Sequence, residues 1–306
     1  MAMKKILIPL LCGLLLAACF DDENIHADYV EYGRAYDTTS SDPVLKYISQ
    51  YYYKYGKILI TDPDTADYMF NFQMKNKVRM VEPRQDQEHL VEALTFLREL
   101  FLDGYNDQVK KEVFPYAIIM ADSIYDWGNG KYVNMYTASS YVAFLVNDEM
   151  LSKNEEEKVA LSMEWNYSFL NYCMNKIGWT VPEEFYLYSD DEYGKKENWW
   201  LAFPGATKDT PGDINLVWEK GYPKGIWTYQ YISWASSEIE WGYSLASSRE
   251  GYLKNFFEFL FTTPQETIDQ AIADHEKLRK AHDVLDQALK EDFGIDYRTM
   301  IYKAKE

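Results

Sequence analysis

The chain has 306 residues, of which 47% are apolar and 17% aromatic, and it carries a formal charge of −18. Those numbers suit one large core or two small ones. The charge excludes nucleic acid and anionic membrane surfaces as partners, because both would repel it.

The first residues read as a leader. Lys4 and Lys5 precede an apolar run over 6–16, which is shorter than the roughly 20 residues a spanning helix needs. The run ends in Leu16-Ala17-Ala18-Cys19, small residues directly before a cysteine. This is the pattern of a lipoprotein signal peptide over 1–18, with Cys19 taking the lipid. The expected anchor is therefore lipid on an outer membrane, with no spanning segment. Cys12 leaves with the leader and Cys19 is acylated, so Cys173 stands alone and no internal disulfide can form. Asp21-Asp22-Glu23 then resembles the acidic signal that sends Bacteroidota lipoproteins to the cell surface.

Residues 19–42 read as a polar tether, and 43–306 as a single α+β domain. A helix is predicted over 43–56, a strand over 57–61 and an amphipathic helix over 88–102, with Leu90, Leu94, Leu97 and Phe101 on one side. A strand is predicted over 113–119. A hairpin turn follows at 127–131, where Asn129-Gly130 would supply positive φ angles, and strands over 132–137 and 141–146 come after it. Ser152 and Glu155 read as a capping box for a long helix whose apolar stripe is Val159, Met163, Tyr167 and Leu170. Residues 178–225 read as one long loop. A helix over 252–261 follows, then a capping box at 263–266 opening a last helix that runs to about 292.

Within the long helix, Met163-Glu164-Trp165-Asn166-Tyr167 occupies the frame of the zinc motif H-E-x-x-H. In that motif two imidazoles four residues apart reach one ion, and the glutamate takes a proton from metal-bound water. Only the glutamate is present here. No other metal set replaces the lost pair. His26 falls in the tether and His89 at a helix start. His275 and His282 sit seven apart on the last helix, about 10.5 Å along its axis. The acidic stretch 62–67 lacks the glycine and glutamate of a calcium loop, and Asp190-Asp191-Glu192 reads as a solvated loop.

The order of leader, strand, motif helix and the later stretch Gly242-Tyr-Ser-Leu-Ala-Ser-Ser-Arg-Glu-Gly-Tyr-Leu-Lys-Asn-Phe256 resembles one family. These are the Bacteroidota substrate-import-associated zinc metallohydrolase lipoproteins, a family of zinc-binding metallopeptidases. The later stretch is similar to their segment G-F-x-x-x-Y-A-x-S-x-x-E-D-F-A-E. The resemblance implies a zincin-like core, a small sheet packed on helices. It also implies that Met163 and Tyr167 stand at the two histidine positions, Glu164 at the catalytic base and Asn255 at the third ligand. A thioether, a phenol and an amide make no zinc site, since methionine suits soft ions and a phenol ionises only near pH 10. The implied protein is a degenerate, inactive member without a cofactor. It would be an accessory of a TonB-dependent import complex, binding peptide or glycan. The rival readings are an active zinc peptidase with non-standard ligands, and a carbohydrate-binding or structural lipoprotein unrelated to zincins. The aromatic surplus admits two roles. Trp199, Trp200 and Trp227 either stack on a ligand or pack the long loop onto the domain.

Overall fold

Asp42 and Pro43 start the first helix, α1 (Pro43–Tyr55). The Asp42 carboxylate accepts from the amides of Val44 and Leu45, and proline at the first position has no amide to leave orphaned. Gly56 ends the helix in the left-handed conformation, φ 67°. The structure is a computed structural model that describes residues 36–69, 77–187, 200–233 and 237–303. The leader, Cys19, the tether up to residue 35, residues 190–192 and Trp199 lie outside the described residues, as does the Cys173 side chain. By its contacts the chain divides into Met1–Tyr36 and Asp37–Glu306, and the elements below all belong to the second unit.

After α1 come β1 (Ile58–Ile60), β2 (Val78–Val81), α2 (Gln87–Leu100) and α3 (Asp107–Glu112). Strands β3 (Ala117–Ala121), β4 (Ser123–Asp126), β5 (Lys131–Tyr132), β6 (Met135–Thr137) and β7 (Tyr141–Leu145) lead into the long helix α4 (Glu155–Ile177). Then follow β8 (Trp200–Ala202), α5 (Asn215–Glu219), β9 (Ile226–Ser233) and β10 (Glu238–Ser244). Helices α6 (Arg249–Thr262), α7 (Gln265–Asp274) and α8 (Glu276–Phe293) follow, and a last short helix, Tyr297–Met300, comes after them. The fold is α+β, with three small sheets among helices. The main sheet has the order β1-β3-β7-β6, parallel except for β6 at its edge. Two three-stranded antiparallel sheets, β2-β4-β5 and β8-β10-β9, stand beside it.

The main sheet is covered on both faces, as a largely parallel sheet requires. Ala117, Ile119, Ala121, Tyr141 and Ala143 face a cluster that includes Met80, Ile124 and Val78 from β2 and β4. On the other face Phe144 meets Phe101 at 4.6 Å and Trp165 of α4 at 4.9 Å, measured between ring centres. Phe169, Phe114 and Tyr105 extend this aromatic core.

Several elements differ from the sequence expectation, each for a local reason. The strand expected from 113 begins at Ala117, because Asn106 caps a helix there and Val113 ends it. The single strand expected over 132–137 changes sheets midway. The Val133 amide donates to Ile124 of β4, whereas the Leu145 amide of β7 donates to Asn134. In the hairpin turn only Gly130 has a positive φ, 65°, and the Asp126 carboxylate holds the turn by accepting from the Gly128 amide. The cap of α4 is a reciprocal pair between Asn154 and Glu157 instead of Ser152 and Glu155. Thr263 ends α6, and α7 starts with no side-chain cap. The expected last helix breaks at His275, which is extended at φ −123° and sends its ring to Asn215 and Trp218. The presumed loop over 178–225 contains β8 and α5, and the hairpin β9–β10 follows it.

A buried polar knot ties the C-terminus to α4. The Ser162 hydroxyl donates to the Leu100 carbonyl at 2.6 Å and accepts from the Tyr302 amide at 2.9 Å. Asn166 donates to the Ser162 carbonyl at 2.8 Å and reaches the Met300 carbonyl at 3.4 Å. Gly104 allows the Met300 backbone to come this close, since a Cβ there would lie 2.8 Å from the Met300 carbonyl oxygen. Ser162→Ala leaves the Tyr302 amide unpaired, at an expected cost of about 1–3 kcal/mol. Urea unfolding should show this as a lower midpoint at unchanged slope.

The Tyr302 hydroxyl also donates to Glu155 Oε2 at 2.6 Å. The carboxylate first, and burial second, push this phenol up to about 12. The native chain keeps that proton where an unfolded tyrosine, near pH 10, has lost it. Its contribution is therefore full below about pH 10 and is lost as pH rises toward 12. Stability measured from about pH 9 to about pH 11 should fall, and it should fall less steeply in Tyr302→Phe.

Candidate functional site

Helix α4 is held by its inner side. Trp165, Ser162, Asn166, Phe169 and Leu170 are all fully buried. The expected stripe lay slightly off this line, and Val159 is only half-buried. With the inner side fixed, Glu164 points away from the core and is exposed. Ser168, one turn later, shares its side of the helix.

Glu164 opens onto a hollow of about 270 Å³ between α4 and the chain that switches sheets. Lys131, Asn134, Thr137 and Ser168 line it with Glu164, and Tyr132 lies at its rim. The Asn134 amide donates to Glu164 Oε2 at 3.0 Å. Glu164 Oε1, the Ser168 and Thr137 hydroxyls and the Lys131 ammonium have no partner among the described residues. The hollow thus offers one anion, one cation and several neutral polar groups. Strand β6, at its side, is the edge of the main sheet.

The other motif positions look elsewhere. Met163 is buried at 9% exposure, and Tyr167 is half-buried. Burial, and then the charge of Glu258 on α6, raise the Tyr167 phenol above its ordinary range. Asn255 is half-buried on α6, three residues before Glu258. Of the four motif positions, only Glu164 lines the hollow. The acid beside Tyr167 is Glu258, and it forms an ion pair with Lys224. The sequence signal for Glu258 was its place one turn beyond Asn255, on the same side of a helix.

A thioether, a phenol and an amide at 163, 167 and 255 do not fit zinc. Among the described residues no group of three or more His, Cys, Asp or Glu side chains could hold a metal ion. The described histidines are dispersed and bonded. His89 lies 3.4 Å from Asp148, His275 meets Asn215 at 3.2 Å, and His282 lies between Asp283 and Tyr297 at 2.9 and 3.0 Å.

The described tryptophans of the aromatic surplus are tied into the sheet β8-β10-β9. Trp200 donates to Glu240 at 3.2 Å and covers Gly242. Trp227 donates to the Thr207 carbonyl at 3.2 Å and stacks on Trp241, 6.0 Å between ring centres.

No family model matches the chain, and no curated protein matches it. Among solved structures, one described as a "putative zinc-binding metallo-peptidase" from Bacteroides caccae aligns with a TM-score of 0.42 and 12% identity. The alignment covers 74% of this chain and 79% of that one. At that level of similarity it assigns the chain to no family.

Because Glu164 is exposed and accepts a single hydrogen bond, Glu164→Gln should change folding stability by less than about 0.5 kcal/mol. Urea unfolding of the two proteins side by side checks this. A loss of several times that size would make Glu164 a structural residue.

Proposed function

We propose that the protein is a surface lipoprotein of the outer membrane, anchored through Cys19, with a zincin-like body that binds a ligand without hydrolysing it. The ligand, a nutrient peptide or glycan, sits in the Glu164 hollow, and the protein serves a TonB-dependent import complex as an accessory. The leader ending at Cys19 and the acidic residues after it support the anchor. The order of segments that resembles the metallohydrolase lipoproteins supports the import role.

One observation carries the non-catalytic reading. The carboxylate next to Tyr167 is already neutralised by the Lys224 ammonium. A divalent ion placed there would lose that carboxylate to the lysine and meet the lysine's charge at close range. The neighbouring donors, from methionine and tyrosine, are too soft or too reluctant to ionise to repay the loss. Without an acidified water, Glu164 has no proton to take. It remains a hydrogen-bond acceptor facing an open hollow.

Metal analysis of the purified protein after incubation with zinc tests this reading. The expected result is no stoichiometric zinc and no hydrolysis of casein. One zinc per chain, removed by a chelator together with peptidase activity, would overturn it.

A further inference from the structure

The hairpin β4–β5 carries a second feature next to the Glu164 hollow. Tyr125 and Tyr132 are cross-strand partners, so their side chains leave the same face of the sheet β2-β4-β5. Arg79, the partner of Tyr125 on β2, shares that face and is exposed. The opposite face buries Val78, Met80 and Ile124, so the tyrosine face is the outer one. The Tyr125 ring lies 5.0 Å from Tyr132 and 4.7 Å from Trp127, edge-on in both cases. Tyr132 is 71% exposed and Trp127 is 59% exposed. Exposed flat rings can stack on a ligand, and although Tyr53 and Tyr116 are also exposed, at 66% and 57%, neither lines the hollow. Tyr132 belongs to both features, because it also lines the hollow.

We propose that the Glu164 hollow and the strip formed by Trp127, Tyr125 and Tyr132 make one binding site for a neutral oligosaccharide. This rests on reading the hollow as the ligand site, and it names the ligand class. Three observations support it. The rings supply flat apolar area for the C–H faces of sugar rings at little entropic cost. The hollow supplies an acceptor in Glu164, a donor in Lys131, and groups that do both in Asn134, Ser168 and Thr137. Sugar hydroxyls, each both donor and acceptor, match such a mixture. Lys131 and Glu164 carry opposite charges, so an ionic ligand would be attracted by one and repelled by the other, while an uncharged one meets neither penalty. The chain's charge of −18 further disfavours an anionic polymer. An extended peptide, whose backbone would pair with β6, is the alternative that the experiment must separate.

Affinity electrophoresis of the full-length protein, in gels containing soluble starch, galactomannan or xyloglucan, tests the proposal. The expected result is retardation by at least one of the three. Tyr132→Ala and Trp127→Ala should each weaken that retardation roughly tenfold, and Glu164→Gln should weaken it as well. Both aromatic residues are exposed, and an unchanged urea midpoint confirms that the variants fold. Calorimetric titration with tryptic casein peptides runs in parallel. No retardation by any of the three, or retardation untouched by both Tyr132→Ala and Glu164→Gln, overturns the proposal. If casein peptides bind instead and Glu164→Gln abolishes that binding, the hollow stands as the ligand site and the sugar class falls. If neither probe binds, both fall.

Discussion

The packing of Trp165 against the main sheet sets the rotation of α4, and the rest of the site follows from it. The indole is fully buried, with Phe144 at 4.9 Å and Phe96 at 6.1 Å between ring centres. Its N–H has no hydrogen-bond partner among the described residues. Leaving such a donor unpaired costs about 1–3 kcal/mol, whereas truncating a buried tryptophan costs about 3–5 kcal/mol, so the packing outweighs the lost bond. Once Trp165 and Phe169 point inward, a helix of 3.6 residues per turn leaves no freedom to its neighbours. Glu164 and Ser168 must face the hollow, and Tyr167 must face α6.

That rotation separates two chemistries that a working zinc motif would combine. On the α6 side, Tyr167 is partly buried near Glu258, and Lys224 provides the positive charge. The lysine is the counter-ion of Glu258. On the outer side, Glu164 is solvated and holds only the Asn134 amide. The change of sheet between Val133 and Asn134 makes this possible, because it carries the chain from β4 across to β7 beside α4. The same short segment places Lys131 and Tyr132 at the rim of the hollow.

The aromatic content divides by location. Many of the described rings fill cores. Phe101, Phe114, Phe144 and Phe169 pack behind the main sheet, and Phe185 and Tyr222 pack against Tyr252 and Phe256 of α6. Trp200 is bonded within the sheet β8-β10-β9, and Trp227 of that sheet donates to the Thr207 carbonyl outside it. Trp127 and Tyr132 are exposed, as Tyr53 and Tyr116 are elsewhere, but Tyr132 also lines the hollow between α4 and the edge strand.

Composition and periodicity made the α+β class legible, together with α1, α2, α4 and the strands β1 and β7, because each is strongly patterned or clearly capped. The misfit of a thioether and a phenol at 163 and 167 to zinc was legible too, since an ion's ligand chemistry depends on residue type before it depends on geometry. The hairpin β9–β10 was hidden by its mixture of aromatic and charged residues. The break at His275 was hidden because the ring's partners, Asn215 and Trp218, are some sixty residues away in the chain. By itself the sequence determined that the frame from Met163 to Tyr167 holds a glutamate but neither histidine of an H-E-x-x-H motif. Only the tertiary structure decided that Glu164 opens onto a polar hollow, that Lys224 neutralises Glu258, and that Tyr132 joins the hollow to an aromatic strip. Those three facts depend on which distant segments meet, and helix rotation and sheet order fix that, whereas spacing along the chain does not.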